Sequence, residues 1–275
     1  MKSGIPVTID RVVRRMRGGS QSFTVVGDDG QFYVAKFQKN PQGTRTLVNE
    51  WIGGNLLRRL GVTTPTLRIL RLPEHLESDD LFFSIGNHRR QITSGLHLGS
   101  LYPVNPDLIA IYDWIPDTLL HKLVNGLDFV TAFIFDCWAG HRDKRQALFY
   151  RNGQKRFEAT MIDNGLLFGG PDWDLWTVPG IFRSFHRALY RGHDLQKLAD
   201  EAIEVIRGWA LSDIDEIVAS VPEEWFDRDK GAFWKMAEKL IARSETVFAD
   251  TGQWLASLRS YAYGHVEREV EMSGR

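Results

Sequence analysis

The sequence of 275 residues predicts an α+β fold with two lobes. Alternating apolar and polar residues indicate strands in the first third of the chain, with one helical segment among them, whereas helical periodicity dominates the rest. A Gly-, Ser-, His- and Pro-rich stretch at 87–107 has no clear period and predicts the boundary. We therefore expect an N-terminal lobe at 1–105, built on an antiparallel sheet with one helix, and a mainly helical C-terminal lobe at 106–275.

Composition excludes several classes of protein. The formal net charge of -1 indicates neither nucleic-acid nor membrane-surface binding, and no apolar run approaches the ~20 residues of a membrane span. The start of the chain lacks the pattern of a secretory signal. The single cysteine, Cys137, excludes an internal disulfide and favours a reducing, cytoplasmic setting. The histidines lack the spacing of a metal site.

Three strands are predicted first, at 7–9, 21–27 and 31–38. A turn at 28–30, Asp-Asp-Gly, joins the last two, and the third alternates as FYVAKFQ. Residues 44–60 have a strong apolar helical face, Gly61 is a suitable stop, and Glu50 lies off the apolar stripe. Two further strands are predicted at 63–72 and 81–85.

The C-terminal part is predicted to be helical around one hairpin. The hairpin consists of strands at 147–151 and 157–162, joined by a turn at Asn152-Gly153. A short helix or helical turn is predicted at 106–115, and helices are predicted at 118–125, 127–140, 194–209, 211–220, 229–247 and 250–265.

Two aspartates flank this hairpin. Asp143 lies in the basic turn GHRDKRQ, and Asp163 follows the apolar pair Met161-Ile162. A hairpin between them returns both carboxylates to the same end of the structure. Carboxylates next to Arg, Lys and an amide suit Mg²⁺ and phosphate chemistry.

The N-terminal lobe carries three features of a nucleotide site. The glycine turn, which we define as residues 18–22, can bring backbone N–H groups and hydroxyls close to phosphate oxygens. Its members are Gly18, Gly19, Ser20, Gln21 and Ser22. Lys36 lies in an otherwise apolar strand, and Glu50 on the following helix could hold its ammonium group in place.

These features occur in the order typical of the protein-kinase fold. Residues 34–37 read VAKF and resemble the kinase V-A-x-K strand, 141–143 read H-R-D, and 163–165 read D-N-G where kinases have D-F-G. The chain resembles the compact HipA-like kinases of bacteria over roughly 5–225. The stretches that carry this resemblance are VAKFQKNPQGTRTLVNEWIGGNLLRRLGV, FDCWAGHRDKRQALF and MIDNGLLFG.

The resemblance implies a two-lobed kinase-like fold that binds Mg-ATP and phosphorylates protein serine or threonine. By position, Lys36 would hold the phosphates and pair with Glu50. Asp143 would accept or orient the proton of the attacking hydroxyl, Asp163 would bind Mg²⁺, and the glycine turn would cover the phosphates.

One position departs from the kinase pattern. Kinases place a metal-binding Asn five residues after the catalytic Asp, and here that position is Leu148, which cannot bind a cation. Gln146 is the nearest amide and a candidate for both catalysis and metal binding, and the alternative is that it only forms a hydrogen bond within the turn. Asn164 is a second candidate metal ligand.

Two other functions stay open. A small-molecule kinase would need an acidic acceptor pocket, to which Asp172, Asp174 and Asp194 could contribute. A catalytically inactive nucleotide-binding protein or toxin scaffold is favoured by Leu148. No helix-turn-helix or basic stripe is evident, so a role at an operator would need a partner protein.

Several neighbouring residues have two interpretations each. His141 is expected to support the Asp143 loop rather than carry a proton. Arg142, Lys144 and Arg145 could clamp phosphate or neutralise Asp143, and the alternative is that they form a solvated loop. Two tryptophans that follow the hairpin, Trp173 and Trp176, are expected to be core residues, with a partner or substrate surface as the alternative.

Overall fold

The computed structural model describes residues 5–78, 80–175, 187–191 and 193–263. An N-terminal β-structure with one helix precedes a mainly helical part, which confirms the predicted α+β class. The strands are Val7–Arg15 (β1), Phe23–Gly27 (β2), Phe32–Lys36 (β3), Leu67–Leu72 (β4), Phe82–Ile85 (β5), His88–Gln91 (β6), Gly95–Leu101 (β7), Ile111–Tyr112 (β8), Gln146–Arg151 (β9) and Phe157–Ile162 (β10). The α-helices are Arg45–Arg59 (α1), Asp128–Ala139 (α2), Leu195–Arg207 (α3), Leu211–Val218 (α4), Lys230–Ala242 (α5), Ser244–Val247 (α6) and Thr251–Tyr263 (α7).

Five N-terminal strands form a closed barrel in the order β1-β2-β3-β7-β4. The neighbouring pairs are antiparallel except β1 and β4, which run parallel with Val7 opposite Leu70. The expected antiparallel sheet is therefore closed by one parallel pair. In β3, Tyr33 and Ala35 are buried in the barrel core, so the alternation of a strand places Lys36 on the opposite face.

The stretch 87–107, within which the boundary is predicted, has regular structure over much of its length. It contains β6 and β7, and β7 lies in the barrel between β3 and β4. Gly99 in β7 allows close packing and does not interrupt the strand, because a Cβ at this position would lie 2.6 Å from Leu70 Cγ. We propose that the lobe boundary follows residue 105, after the end of β7.

Helix α1 is buried on more than one face. It ends at Gly61, whose φ of 79° suits glycine at a helix C-terminus. Its apolar residues belong to the same hydrophobic cluster as those of α2 and the C-terminal helices, while the barrel encloses a second cluster. Helix α1 therefore lies between the barrel and the helical part.

The helical part is built around α2, which is almost wholly apolar and ends at Gly140. Strands β8, β9 and β10 form a small sheet with β9 in the centre. Of the short helix or helical turn predicted at 106–115, only a turn forms, with Ile109 N bonded to Asn105 O at 3.0 Å, and Ile111–Tyr112 instead pairs with β9. The helix predicted at 118–125 is the short 3₁₀ helix Asp117–Lys122. A segment this short gains too little from intrahelical bonds to compete with the open edge of β9.

The remaining predicted helices correspond to α2 to α7, and the 229–247 helix is split into α5 and α6. Among the helices that the structure describes, none has the length and apolar character that a bilayer crossing requires. Trp176 lies outside the described residues.

Candidate active site

Three elements that are distant in sequence bring their charged side chains together. Lys36 ends β3, Glu50 lies on α1, and Asp163 follows β10. Lys36 Nζ donates a hydrogen bond to Asp163 Oδ1 at 2.8 Å and another to Glu50 Oε1. The Lys36 and Glu50 side chains are only 11% and 4% exposed. The barrel, α1 and the β9–β10 hairpin therefore meet at one ionic group, which we call the lysine cluster.

Lys36 and Asp163 of the lysine cluster favour their charged forms, as the directions of their pKa shifts show. Burial alone would lower the pKa of Lys36, but the carboxylates of Glu50 and Asp163 outweigh burial and raise it above its usual value. Burial would raise the pKa of Asp163, whereas Lys36 lowers it, and the net shift is downward. One ammonium group faces two carboxylates, so the cluster has an excess negative charge that suits a further cation.

Asp163 has an uncommon backbone conformation. Its φ of 63° is in the left-handed region, which aspartate tolerates better than most residues. The next residues are pressed against α1, because a Cβ on Gly165 would lie 3.3 Å from Thr46 Cβ and 3.5 Å from Glu50 Oε1. The chain therefore turns after β10 and packs against α1, the helix that carries Glu50.

Gln146 is the amide that the structure brings to Asp163. Its Nε2 donates to Asp163 Oδ2 at 2.8 Å, and it pairs with Ile162 at the end of the β9–β10 ladder. Leu148 pairs with Thr160, two residues and about 7 Å further into the hairpin. The Gln146 amide therefore lies two residues before position 148, where the kinase pattern has the metal-binding Asn.

Asn164 does not join the lysine cluster. It is buried, and its Oδ1 accepts a hydrogen bond from Arg145 Nη1 at 2.5 Å. Its Cβ lies below α1, 3.2 Å from the position of a Cβ on Gly53. Because its potential ligating oxygen is engaged elsewhere, we exclude Asn164 from the proposed metal ligands.

Arg145 is a structural residue, so its expected role as a phosphate clamp or a partner of Asp143 is wrong. It is buried, and its Nε lies 3.0 Å from Asp136 Oδ2 while Nη2 contacts the other oxygen. Burial would raise the pKa of Asp136, but Arg145 and His141 lower it overall. His141 is enclosed with Nδ1 3.3 Å from Asp136 Oδ1, a position suited to supporting the loop.

The Asp143 loop is fixed beside the segment that follows Asp163. Arg142 N donates to Leu166 O at 3.0 Å, and Phe168 N donates to Ala139 O at 2.8 Å. Asp143 is half-buried and its Oδ1 accepts the Lys144 N–H at 2.7 Å. Its Oδ2 has no hydrogen-bond partner in the part of the chain that the structure describes, which leaves it available to a ligand.

The glycine turn lies at the β1–β2 connection, and its polar side chains are engaged locally. Two hydrogen bonds join the Gln21 side chain to the backbone of Ser84 in β5. Gln21 Nε2 donates to Ser84 O at 2.6 Å, and Ser84 N donates to Gln21 Oε1 at 2.8 Å. The hydroxyls of Ser20 and Ser22 lie 2.9 Å apart. Within the described ranges, no hydrogen bond or ion pair joins the turn to Lys36. The turn therefore offers its backbone, rather than the Gln21 side chain, to a ligand.

Sequence reasoning missed Asn49. This residue is fully buried, and its Nδ2 donates to the carbonyls of Gly165, Leu167 and Gly170 at 2.9, 3.0 and 3.1 Å. Its Oδ1 accepts from Trp173 Nε1 at 2.8 Å. The available signal was a polar residue inside an apolar helix, immediately before Glu50.

Trp173 is a core residue, which confirms the expectation of core packing. It is buried against Phe226 and Phe233, with ring centroids 6.3 and 5.4 Å away. A partner surface at this ring is therefore not supported.

The acidic residues considered for a small-molecule pocket do not join the lysine cluster. Asp194 begins α3 and accepts the Lys197 N–H at 3.1 Å, and Asp172 and Asp174 are exposed. Across residues 5–78, 80–175, 187–191 and 193–263, no three His, Cys, Asp or Glu side chains group closely enough to hold a metal ion by themselves.

A β-lobe with one buried helix, a helical lobe and an ionic cluster between them define a kinase-like protein. The chain belongs to the HipA-like kinase family, whose sequence model matches residues 9–250. No curated protein sequence matches the chain significantly.

Two solved structures share the fold. A Helicobacter pylori proinflammatory kinase, CtkA, is 12% identical with a TM-score of 0.51, and the match covers 88% of this chain and 99% of that one. The Golgi casein kinase with Mn and ADP bound is 12% identical with a TM-score of 0.50, and the match covers 94% and 74%. At this identity, the comparisons show a common fold.

Proposed function

We propose that the protein transfers the γ-phosphoryl group of Mg-ATP to the hydroxyl of a protein serine or threonine. The observation that carries this proposal is the lysine cluster, in which Lys36 bridges Glu50 and Asp163 at the meeting point of three elements. Membership of the HipA-like kinase family supports phosphoryl transfer. The Mn and ADP held by the Golgi casein kinase, which shares the fold, support a nucleotide with a divalent cation.

Lys36 is proposed to bind the ATP phosphates. Its ammonium is kept charged by two carboxylates, and Glu50 is the more deeply buried of the two. Glu50 therefore fixes the position of Nζ, while the ion pair with Asp163 can be exchanged for phosphate oxygens. A charged donor fixed in place neutralises phosphate charge without reorganisation during the reaction.

Asp163 and Gln146 are proposed to hold the Mg²⁺ ion. Asp163 Oδ1 accepts a hydrogen bond from Lys36, and Asp163 Oδ2 accepts one from the Gln146 amide nitrogen. The carbonyl oxygen of the same Gln146 amide is the second proposed ligand. Mg²⁺ is commonly held by one or two protein oxygens together with substrate phosphates, so this sparse donor set fits. When bound, the ion would neutralise charge on the phosphates.

Asp143 is proposed to orient the acceptor hydroxyl and receive its proton. The hydroxyl oxygen forms a bond to the γ-phosphorus, the bond from that phosphorus to the bridging oxygen breaks, and ADP leaves with the bond's electron pair. The backbone N–H groups of the glycine turn would cover the phosphates. Most of the rate enhancement would come from positioning and charge neutralisation.

Thermal-shift titration with ATP, with and without Mg²⁺, tests the nucleotide site. A ligand at a hundredfold excess over its Kd stabilises the folded state by about 2.7 kcal/mol. We expect a Mg²⁺-dependent shift in the wild type and its loss in Asp163→Asn, because an amide replaces the anionic ligand. No shift in the wild type, or an unchanged shift in the variant, would contradict the assignment.

A transfer assay then separates the active from the inactive interpretation. The inactive alternative rests on Leu148 and predicts ATP binding without turnover. We expect labelled γ-phosphate to appear on serine or threonine in the protein itself or in an added protein. Asp143→Asn should lose transfer but keep Mg-ATP binding. Absence of transfer by the wild type with proteins but turnover with a sugar or another small hydroxyl compound would favour the small-molecule alternative.

A further inference from the structure

We propose that Asn49 is a positioning residue that holds the segment after Asp163 against α1, and so sets the place of both carboxylates around Lys36. This inference rests on the proposed function. Asn49 precedes Glu50 on α1, so a residue that anchors the helix at this point also anchors Glu50. The hydrogen bonds of its side-chain amide begin at Gly165, two residues after Asp163, and end at Trp173, ten residues after Asp163.

The segment held by Asn49 has little regular structure of its own. Phe168, Gly169, Gly170 and Trp173 all have positive φ values, of 57°, 78°, 78° and 54°. Such a path leaves carbonyl groups without the partners that a helix or sheet would provide. Three carbonyls of the segment accept from a single amide group, Asn49 Nδ2. Two of them, Leu167 O and Gly170 O, also accept the backbone N–H groups of Gly170 and Trp173, at 2.9 and 3.2 Å. Removal of the amide would leave the buried Gly165 O without a donor in the part of the chain that the structure describes.

The far end of the segment is also fixed from α1. Trp173 donates its indole N–H to Asn49, and the guanidinium of Arg45, one helical turn earlier, lies 4.5 Å from the centre of the indole ring. Arg45 further approaches Pro171 O at 3.5 Å. Helix α1, which carries Glu50, therefore contacts this segment at both of its ends.

The chemistry of the site selects asparagine. An asparagine amide has two N–H donors and one acceptor oxygen, so it can bond the three carbonyls, with one N–H shared between two of them, and still accept the indole N–H. Aspartate would place a carboxylate against three carbonyl oxygens. Asn49→Ala is the smallest change that removes every bond, and Trp173→Phe removes only the indole bond while keeping an aromatic ring.

The matched control is Asn55→Ala. Asn55 lies on the same helix and is half-buried, but its amide donates only to Trp51 O within the helix, at 2.7 Å. Both alanine variants remove an asparagine amide from α1. A general weakening of the helix would affect both variants, whereas loss of positioning would affect only Asn49→Ala.

The first readout needs no nucleotide. Hydrogen–deuterium exchange in peptides that cover 163–173 should become faster in Asn49→Ala than in Asn55→Ala, with the barrel strands unchanged. The second readout is ATP affinity at a temperature where each variant is folded. The Mg²⁺-dependent gain in affinity should fall by about 10–100-fold, the range typical for loss of an outer-shell partner, while affinity without Mg²⁺ stays the same.

The possible outcomes separate this inference from the proposed function. If the wild type shows no Mg²⁺-dependent binding, the proposed function fails, although exchange can still show the anchoring. If the wild type binds and Asn49→Ala retains the full Mg²⁺-dependent gain, Asn49 is only structural and the inference is overturned. If Asn49→Ala does not fold, Trp173→Phe takes its place and must show the same effects at reduced size. An unchanged Trp173→Phe would then overturn the inference.

Discussion

Replacement of Arg145 by methionine should destabilise the protein by about 3–5 kcal/mol, because it leaves a buried carboxylate without its cation. Asp136 receives two hydrogen bonds from the guanidinium, one of them at 3.0 Å, and its side chain is 15% exposed. The same guanidinium donates to Ile162 O at 3.2 Å and to Asn164 Oδ1 at 2.5 Å. Two neutral acceptors therefore lose a donor as well, which places the expected loss in the upper part of the range.

Urea denaturation of four proteins measures this effect. Arg145→Met should lower the unfolding midpoint strongly, whereas the double variant Asp136→Leu/Arg145→Met should recover much of the loss, because no unpaired charge remains. Arg156→Met is the matched control, since Arg156 is exposed at the hairpin turn and should change stability by less than about 0.5 kcal/mol. A loss below about 1 kcal/mol in Arg145→Met, at an unchanged m-value, would refute the reasoning.

The same ion pair predicts a pH dependence. The pKa of Asp136 is depressed in the folded protein relative to its ordinary value of about 4, so its contribution to stability is complete above that value. As the pH falls below about 4, the unfolded state binds the proton first and the contribution is lost. We expect the wild-type free energy of unfolding to decrease from pH 5 to pH 3 more steeply than that of Asp136→Leu/Arg145→Met. Parallel curves would contradict the ion-pair assignment.

Two substitutions around α1 give further predictions. Lys36→Met should lower stability by about 3–5 kcal/mol because Glu50 stays buried without its cation, and adding Glu50→Gln should restore part of it in urea denaturation. No recovery in the double variant would argue against this pairing. Gly53→Ala should cost about 1–3 kcal/mol, because its Cβ would lie 2.2 Å from Leu167 Cδ1. Gly231→Ala is the control in another helix, where a Cβ would make only an ordinary contact with Asp229 Oδ1 at 3.9 Å, and it should be neutral or stabilising. Equal effects of the two substitutions would refute the packing argument.

The overall fold could be predicted where local pattern and global structure agree. The β9–β10 hairpin follows from two short strands around Asn152-Gly153, and α1 follows from its apolar face and Gly61. Strand β7 could not be found because Gly95 and Gly99 carry no strand signal. The glycine at 99 is required by Leu70 on the neighbouring strand, and that constraint exists only after the barrel has closed.

The candidate site was predictable to the level of which chain segments meet. The sequence predicted that Lys36 pairs with Glu50 and that Asp163 lies at the end of the hairpin. The structure brings all three together, while their roles remain proposals. The spacing could not show that Arg145 turns inward to Asp136, because an arginine in a basic turn looks solvated until its buried partner is known. Orientation of side chains is decided by packing against elements far away in sequence.

Helix α1 explains why these segments can meet at all. Within six residues it supplies the carboxylate of Glu50, the amide of Asn49 and the two glycines Gly53 and Gly54. Glycine is the least favourable residue after proline in a helix interior, so two in succession cost roughly 2 kcal/mol relative to alanine. That cost is offset by contact, because a Cβ at Gly53 would collide with the chain after Asp163, the very segment that Asn49 holds. Gly53 and Gly54 allow that segment to approach α1, and Asn49 holds it there by hydrogen bonds. Glu50, on the same helix, then binds Lys36, which Asp163 also binds.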